Sequence, residues 1–242
     1  MLIDMHAHTS GISRCCKRPA EDIVEIAKNE GIDGIVVTNH YQIHYIPDGD
    51  TSSFAKRYVE EYRYAKECGD KAGVWVLLGA EVTMEKHNNA HLLIYGIDEE
   101  FIFKYHDMFT YTQEELYRVV KAYGGALIQA HPMRLGENVL LDLDYIDGIE
   151  INSHQNPKYD GTHIKDLSAV AKSRGLILTA GGDFHADSRR PLCGAYLPDG
   201  ITGKGLAEYL LATDRIEIRY QEPFEMVSHK VIYDRKSGIE ND

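Results

Sequence analysis

Two histidines near the start of the chain could bind one metal ion together. His6 and His8 come at the end of a short apolar run over residues 2–5. Alternate residues of a β-strand point to the same face, so this spacing places both imidazoles side by side. Imidazole binds several transition metals, and the pair therefore predicts a chelating site.

Six more short apolar runs each adjoin a polar residue of a type found in metal or catalytic sites. Five of these runs precede their polar residues, which are His40, Glu81, His131, Asn152 and the pair Asp183 and His185. The sixth run begins at His91. Any single one of these residues is more simply interpreted as a hydrogen-bonded group at a strand end. Together they would repel one another and lack partners unless a cation held them.

We therefore predict a metal centre that carries out hydrolysis with a metal-activated water. The candidate ligands are His6, His8, His40, Glu81, His91, His131, Asp183 and His185.

Segments with helical periodicity lie between the apolar runs. They cover residues 19–30, 52–69, 112–123, 164–174 and 204–213. Such alternation is typical of βα units and a parallel sheet. At 242 residues with no repeat or linker, the chain predicts one α/β barrel domain over residues 1–242, with a polar, frayed tail from about residue 236.

Composition excludes several classes of protein. No apolar stretch is long enough for a membrane span, and the first strand begins at residue 2, which leaves no room for a signal peptide, so we expect a cytoplasmic protein. The four cysteines lack C-x-x-C spacing and should be free thiols. A formal net charge of −12 argues against binding of long duplex nucleic acid. The oligomeric state cannot be predicted from one chain.

The motif order resembles that of the PHP (polymerase and histidinol phosphatase) family. The resemblance runs from residue 2 to about residue 195 and rests on His6-x-His8, Thr38-Asn39-His40, Gly79-Ala80-Glu81, His91, Ala130-His131-Pro132 and Gly182-Asp183-Phe184-His185. It implies a distorted (β/α)7 TIM-like barrel. It also implies two or three divalent ions, of zinc, manganese or iron, at the carboxyl ends of the strands.

Carried over by position, the family pattern groups the ligands around three ions. The first ion takes His6, His8, Glu81 and Asp183; the second shares Glu81 and takes His91 and His131; the third takes His40 and His185. This chain departs from the pattern at Ser13, where the family usually has Asp or His, and Cys15 or a water could substitute. Asn39 also stands where an Asp commonly precedes the histidine.

The resemblance implies hydrolysis of a phosphate ester of a small molecule, such as a phosphomonoester, a nucleotide or a short oligonucleotide. Positive side chains should then hold the phosphoryl oxygens. Arg14, Arg134 and Arg189 each lie within a few residues of a ligand motif, and Arg134 is the preferred phosphate-binding group. A solvated charge on a loop is the simpler interpretation of each arginine alone.

Several other residues have two interpretations. His154 and His163 could contact the substrate but are better interpreted as surface residues, and Glu150 is as consistent with a buried polar group as with a catalytic one. Gly181 and Gly182 should let the backbone approach the metal site closely. The rings of Tyr41, Tyr45 and Tyr159 could stack on a base, which is a weak inference among sixteen tyrosines.

Two alternative functions remain open at this point. An amidohydrolase barrel also begins with a His-x-His strand, but it usually adds a bridging carboxylated lysine, whereas Glu81 occupies the bridging position here. A metal-stabilised binding or regulatory module without turnover is the other alternative, and Ser13 is the feature that favours it.

Overall fold

The computed structural model describes residues 1–46, 49–87, 89–134, 140–155, 163–186 and 189–240. The strands in these ranges are β1 (Leu2–Ala7), β2 (Gly34–Val37), β3 (His40–Tyr41), β4 (Trp75–Leu78), β5 (Ala80–Met84), β6 (Ala90–Tyr95), β7 (Ala126–Gln129), β8 (Gly148–Asn152), β9 (Ile177–Gly181), β10 (Gly194–Tyr196), β11 (Arg215–Tyr220), β12 (His229–Asp234) and β13 (Gly238–Glu240). The helices are α1 (Ala20–Asn29), α2 (Thr51–Ala72), α3 (Glu99–Lys104), α4 (Gln113–Tyr123), α5 (Ile164–Arg174) and α6 (Gly203–Ala212).

The strands β1 to β9 follow one another around a distorted barrel. One sheet contains β4, β2 and β1, and a second sheet has the order β3-β5-β6-β7-β8-β9. Since β2 leads into β3 and β4 leads into β5, these nine segments occupy seven positions. Between the β1 and β9 ends of the two sheets, Ala7 forms an isolated parallel bridge with Phe184. The predicted α/β class with a distorted seven-stranded barrel is confirmed.

The breaks between β2 and β3 and between β4 and β5 position two of the predicted ligands. A side chain at Gly79 would approach Val36 and Thr38 within 2.9 Å, so only glycine fits at this bend. The Tyr58 hydroxyl of α2 donates to the carbonyls of Asn39, at 2.8 Å, and Gly79, at 2.9 Å. These bonds satisfy the backbone at both breaks.

Strand β6 departs from the predicted parallel arrangement. It pairs antiparallel with both β5 and β7, whereas β7, β8 and β9 are parallel. His91 lies at the beginning of β6, and the reversed direction brings it to the edge where the neighbouring strands end. An antiparallel strand therefore delivers its ligand from its amino end.

The predicted helices are confirmed, and they cover the barrel. Helix α1 buries Ile23, Val24 and Ala27, and α4 begins with a capping box between Thr112 and Glu115. No described helix has both the length and the apolar character required to cross a bilayer.

An antiparallel extension continues the first sheet beyond β1. Its order is β1-β10-β11-β12-β13. The prediction of a frayed tail from residue 236 is wrong as far as residue 240, because β13 pairs there with β12. The four cysteines are free thiols, as predicted.

Candidate metal centre

Four buried side chains meet at the end of β1 and form what we call the inner set: His6, His8, Glu81 and Asp183. The Nε2 atoms of His6 and His8 lie 3.0 Å apart, and His8 Nε2 lies 3.0 Å from Asp183 Oδ1. Glu81 approaches from β5. Its Oε1 atom lies 3.5 Å from His6 Nε2, and its Oε2 atom lies 3.4 Å from His8 Nε2. All four ligand atoms lie within 4.8 Å of one another, so they could hold a single ion.

The other four predicted ligands, the outer set, surround the same glutamate: His40, His91, His131 and His185. Glu81 Oε1 lies 2.7 Å from His91 Nδ1 and 3.0 Å from His131 Nε2. Glu81 Oε2 lies 2.6 Å from His40 Nδ1. His185 Nε2 lies 3.4 Å from His40 Nε2.

The geometry of the outer set allows two further ion positions. One group consists of His40, Glu81 and His91, and another of His8, His40 and His185. The first differs from the predicted second site, because His40 replaces His131 in it. Glu81 lies centrally in both halves of the cluster, as a bridging ligand would.

Buried polar groups fix the orientation of the inner imidazoles. Glu150 Oε1 accepts a hydrogen bond from His6 Nδ1 at 2.9 Å, and Ser13 Oγ accepts one from His8 Nδ1 at 3.0 Å. With both Nδ1 atoms acting as donors, each Nε2 presents its lone pair to the centre. Glu150 is therefore a supporting residue of His6, and Asn39 supports His8 indirectly by accepting the Ser13 hydroxyl at 2.8 Å.

The buried Nδ1 atom of His131 has no hydrogen-bond partner among the residues that the structure describes. His40 Nδ1 and Glu81 Oε2 face each other at 2.6 Å as an ion pair, without the geometry of a hydrogen bond. A buried polar atom without a partner is costly, and a divalent cation with nitrogen and oxygen ligands would remove part of this cost. The donor set therefore fits the divalent metals that the sequence predicts.

The carboxylates are poised to remain ionised. Burial alone would raise the pKa of Glu81, but His40, His91 and His6 outweigh it and hold that pKa well below its usual range. The pKa of Asp183 is also lowered well below its usual value, because His6 and Arg134 outweigh the effect of burial. Both carboxylates are therefore ionised at neutral pH.

The imidazoles divide into two kinds by the direction in which their pKa is shifted. Burial lowers the pKa of His8 well below its usual value, and burial with the Arg134 charge lowers the pKa of His131 to about 4. Glu150, Asp183 and Glu81 outweigh burial at His6 and raise its pKa well above the usual range. In the same way Glu81 and Cys15 raise the pKa of His40 to about 10. Without a cation the cluster therefore holds protons at His6 and His40, which a metal ion would displace.

A cavity of about 210 Å³ opens onto the cluster. Its walls are formed by Cys15, His40, His91, His131, Arg134, His154, Asp183 and His185. The Arg134 guanidinium forms an ion pair with Asp183 and lies 3.5 Å from Asn152 Oδ1. Of the three predicted arginines, Arg134 is thus brought to the centre.

The other two arginines lie elsewhere. Arg14 is exposed, with its guanidinium 5.4 Å from the centre of the Tyr45 ring. Arg189 is also exposed, and it contacts the sulfur of Met226 at 2.9 Å. Neither is among the described residues that line the cavity.

Further sequence predictions have different outcomes. The surface prediction for His154 is wrong, because the residue is 4% exposed and lies beside Asp183 and His185. His163 is half-buried and precedes α5. Tyr45 lies 5.8 Å from the His40 ring, and Tyr159 is outside the described residues.

Two buried residues that sequence reasoning missed support the centre from behind. Asp4 Oδ1 accepts from the backbone N–H of His6 at 3.0 Å and of Gly182 at 2.8 Å, and Asp4 Oδ2 accepts from Arg190 at 2.6 Å. Asp4 and His6 alternate along β1 with His8, which follows the strand directly, and this spacing could have identified Asp4 from the sequence. Arg190 lies in an irregular loop, where no such spacing exists.

The backbone approaches closely at the end of β9, as predicted. A Cβ at Gly181 would lie 2.5 Å from Glu150 Oε1 and from His6 Cβ, so a larger residue would displace the support of His6. Asp183 follows with a φ of 46°, in the left-handed region. Non-glycine residues in this region are uncommon and often mark functional sites.

Comparison with known proteins agrees with this geometry. The family description "PHP domain" matches residues 4–178. A comparison with curated protein sequences finds no match.

Among solved structures, a chain from Bifidobacterium adolescentis assigned as a metal-dependent phosphoesterase has a TM-score of 0.57 at 17% identity, over 86% of this chain and 95% of that one. A two-domain protein from Bacteroides vulgatus, which contains a predicted PHP-like metal-dependent phosphoesterase, has a TM-score of 0.65 at 14% identity, over 91% of this chain and 65% of that one. An amidohydrolase from Chromobacterium violaceum has a TM-score of 0.53 at 16% identity, over 82% of this chain and 93% of that one.

At these identities the solved structures establish a shared fold. The family match is independent of them and spans more than half of the chain, from the strand that carries His6 and His8 to the strand that precedes Asp183. This chain therefore belongs to the PHP domain family.

Proposed function

We propose that the protein is a metal-dependent phosphoesterase that hydrolyses a small phosphorylated substrate with a metal-activated water. The observation that carries this proposal is a single one: beside its imidazoles, the cavity wall includes a largely buried guanidinium, Arg134, paired with the candidate ligand Asp183. A planar guanidinium matches two oxygens of a phosphoryl group.

The inner and outer sets would hold two or three divalent ions, of zinc, manganese or iron. Bound there, such ions supply an activated water and neutralise charge on the phosphoryl oxygens. The residues of the chain do the positioning. Arg134 would bind a non-attacked phosphoryl oxygen, and its contact with Asp183 fixes where that oxygen can lie.

The size of the cavity favours a small reacting group. At about 210 Å³ it is smaller than the 300–1,000 Å³ typical of pockets that enclose drug-sized ligands. A phosphoryl group would fit, while the remainder of the substrate would extend outside. The net charge of −12 further disfavours long duplexes as substrates.

The two alternatives have less support from the site. No lysine is among the described residues that line the cavity, and Glu81 occupies the central position where an amidohydrolase would use a carboxylated lysine. The feature that favours a module without turnover is Ser13, and the structure uses this residue to support His8 Nδ1.

The test is phosphate release by the full chain reconstituted with manganese or zinc, over a panel of phosphomonoesters, nucleotides, bisphosphates and short oligonucleotides. Asp183→Ala should reduce turnover of any substrate by a factor of at least about 1,000, because several kcal/mol of transition-state stabilisation depend on the metals. Arg134→Lys should cost about 100-fold in kcat/KM, and Arg14→Lys, on the rim, much less. A silent panel from metal-loaded protein, together with hydrolysis of a cyclic amide, would establish the amidohydrolase alternative instead.

A further inference from the structure

The position where the PHP pattern usually supplies another acidic or imidazole ligand is occupied by Ser13, and that hydroxyl is already fully used. Ser13 Oγ donates to Asn39 Oδ1 at 2.8 Å. It accepts from His8 Nδ1 at 3.0 Å and from the His40 backbone N–H at 3.0 Å. One donor and two acceptor positions exhaust a hydroxyl group. Ser13 therefore has no lone pair left for a metal ion.

Two imidazoles of the outer set nevertheless face each other as ligands of one ion would. His185 Nδ1 lies 2.8 Å from the carbonyl of Asp183, and a bond donated there leaves its Nε2 lone pair pointing at His40. The two Nε2 atoms are 3.4 Å apart. With zinc–nitrogen bonds of 2.0–2.1 Å, two nitrogens on a tetrahedral ion are separated by about 3.3 Å.

His8 completes this group within 4.8 Å, but its single available nitrogen is already committed. His8 Nε2 lies 3.0 Å from both His6 Nε2 and Asp183 Oδ1, in the inner set. An ion between His40 and His185 therefore needs a third ligand from the protein.

Cys15 lies where that ligand is needed. Its side chain lines the same cavity as His40 and His185. The Tyr45 hydroxyl donates to the sulfur at 3.4 Å, and Arg14 lies over the Tyr45 ring. A hydrogen bond to the sulfur is the usual support of a metal-bound thiolate. The other three cysteines do not line the cavity.

We propose that Cys15 is a metal ligand, and that its thiolate binds a third ion together with His40 and His185 in place of the residue missing at position 13. On binding, the sulfur–metal bond forms and the thiol proton passes to solvent. A thiolate with two imidazoles selects zinc, cobalt or iron over manganese and magnesium at this position. The inference rests on the proposed metal-dependent function, and it adds the identity and selectivity of the third site.

The test is titration of chelator-treated full chain with Co²⁺, followed by absorption spectroscopy. Thiolate ligation produces a sulfur-to-cobalt charge-transfer band in the near ultraviolet, which nitrogen and oxygen ligands do not produce. Wild-type protein should show the band, and Cys15→Ser should lose it together with one bound cobalt per chain. Cys68→Ser is the matched control, because Cys68 lies on α2 away from the cavity, and it should retain both.

Phosphate release measured on the same samples separates the two proposals. A charge-transfer band that depends on Cys15 supports this site even if every phosphorylated substrate is inert. Cobalt binding without the band in wild-type protein, or a band that persists in Cys15→Ser, overturns the proposal whether or not the protein hydrolyses phosphate esters. A folded Cys15→Ser protein is verified by its circular dichroism.

Discussion

The inner and outer sets contain similar residues but differ in how they are supported. The inner ligands are 0–2% exposed, and the distal nitrogens of His6 and His8 are held by Glu150 and Ser13. In the outer set, His40 and His185 are each 8% exposed, and the Nδ1 atom of His131 has no hydrogen-bond partner in the described part of the chain. The inner half is thus organised before an ion arrives, whereas the outer half is completed by the ion.

This difference has a consequence for metal binding. Groups that support a ligand typically contribute 10–100-fold to metal affinity. We therefore expect the inner ion to bind most tightly and to resist chelators longest. Changes to the supporting residues should weaken the inner site selectively.

The largest expected effect is on the free energy of unfolding, and it comes from the Asp4–Arg190 ion pair behind the inner set. Asp4 and Arg190 are 0% and 2% exposed, and Asp4 also accepts from two backbone N–H groups. Arg190→Met leaves the Asp4 carboxylate buried without its counter-charge, which typically costs about 3–5 kcal/mol. Urea unfolding of chelator-treated protein measures this loss.

Arg189→Met is the matched control for Arg190, because the adjacent arginine is exposed. It should change the free energy of unfolding by less than about 0.5 kcal/mol. The double variant Asp4→Asn with Arg190→Met removes both charges and should recover part of the loss. Equal stability of Arg190→Met and Arg189→Met would show that the pair does not support the inner half.

The next largest effect is on zinc affinity, and it comes from the group that orients His6. Glu150 accepts from His6 Nδ1, from the His131 backbone N–H at 2.9 Å and from Asn152 at 3.1 Å. Glu150→Gln places an amide group among three donors, and zinc affinity of the tightest site should fall about 10–100-fold. Competition with a chromophoric chelator measures the change. Glu217→Gln, on β11, should leave the affinity unchanged, and equal losses in the two variants would contradict the supporting role.

The outer set should respond to pH through two opposing titrations. Glu81 and Cys15 raise the pKa of His40 to about 10 against the effect of burial. Burial raises the pKa of Cys15, but hydrogen bonds with His185 and His40 outweigh it and lower that pKa to about 6. Between about pH 6.5 and about pH 9, folded His40 retains a proton that the unfolded chain loses, so rising pH destabilises the metal-free protein through His40.

Cys15 acts in the opposite direction over the same interval. Its folded thiolate has already lost a proton that the unfolded thiol still holds, so rising pH stabilises the protein through Cys15. The wild-type profile should therefore be shallow. Cys15→Ser removes this opposing contribution together with the part of the His40 shift that Cys15 causes, so its stability should fall with rising pH by less than about 1.4 kcal/mol per pH unit. Urea unfolding of chelator-treated Cys15→Ser and Cys68→Ser provides the comparison, and parallel profiles would refute the coupling.

The sequence predicted which side chains come together in the cluster because their positions follow from strand periodicity. Asp4, His6 and His8 alternate on β1, and Glu150, Asn152 and His154 alternate through the end of β8. The same rule, applied consistently, would have identified Asp4 and placed His154 at the centre. Strand alternation thus identifies more residues of the site than the family motifs alone do.

Other features had no periodic signal. Ser13, Cys15 and Arg190 lie in irregular segments, where contacts depend on the path of the chain rather than on spacing. The reversed direction of β6 was equally hidden, since an apolar run does not reveal which way a strand is oriented. Consequently the sequence predicted which candidate ligands meet, while the residues that support them and the grouping of the outer set required the structure.

The smallest expected effect on zinc affinity comes from the Ser13 hydroxyl, the neutral group that supports His8. Ser13→Ala removes the hydroxyl that accepts from His8 Nδ1 and from the His40 backbone N–H. A neutral hydrogen bond contributes about 1 kcal/mol, so zinc affinity of the inner site should fall only about fivefold, less than for the carboxylate of Glu150. Ser10→Ala, three residues earlier and exposed, is the control and should bind zinc as wild type does. A loss after Ser13→Ala as large as that after Glu150→Gln would mean that fixing the His8 tautomer, rather than the charge beside His6, organises the inner half before the ion binds.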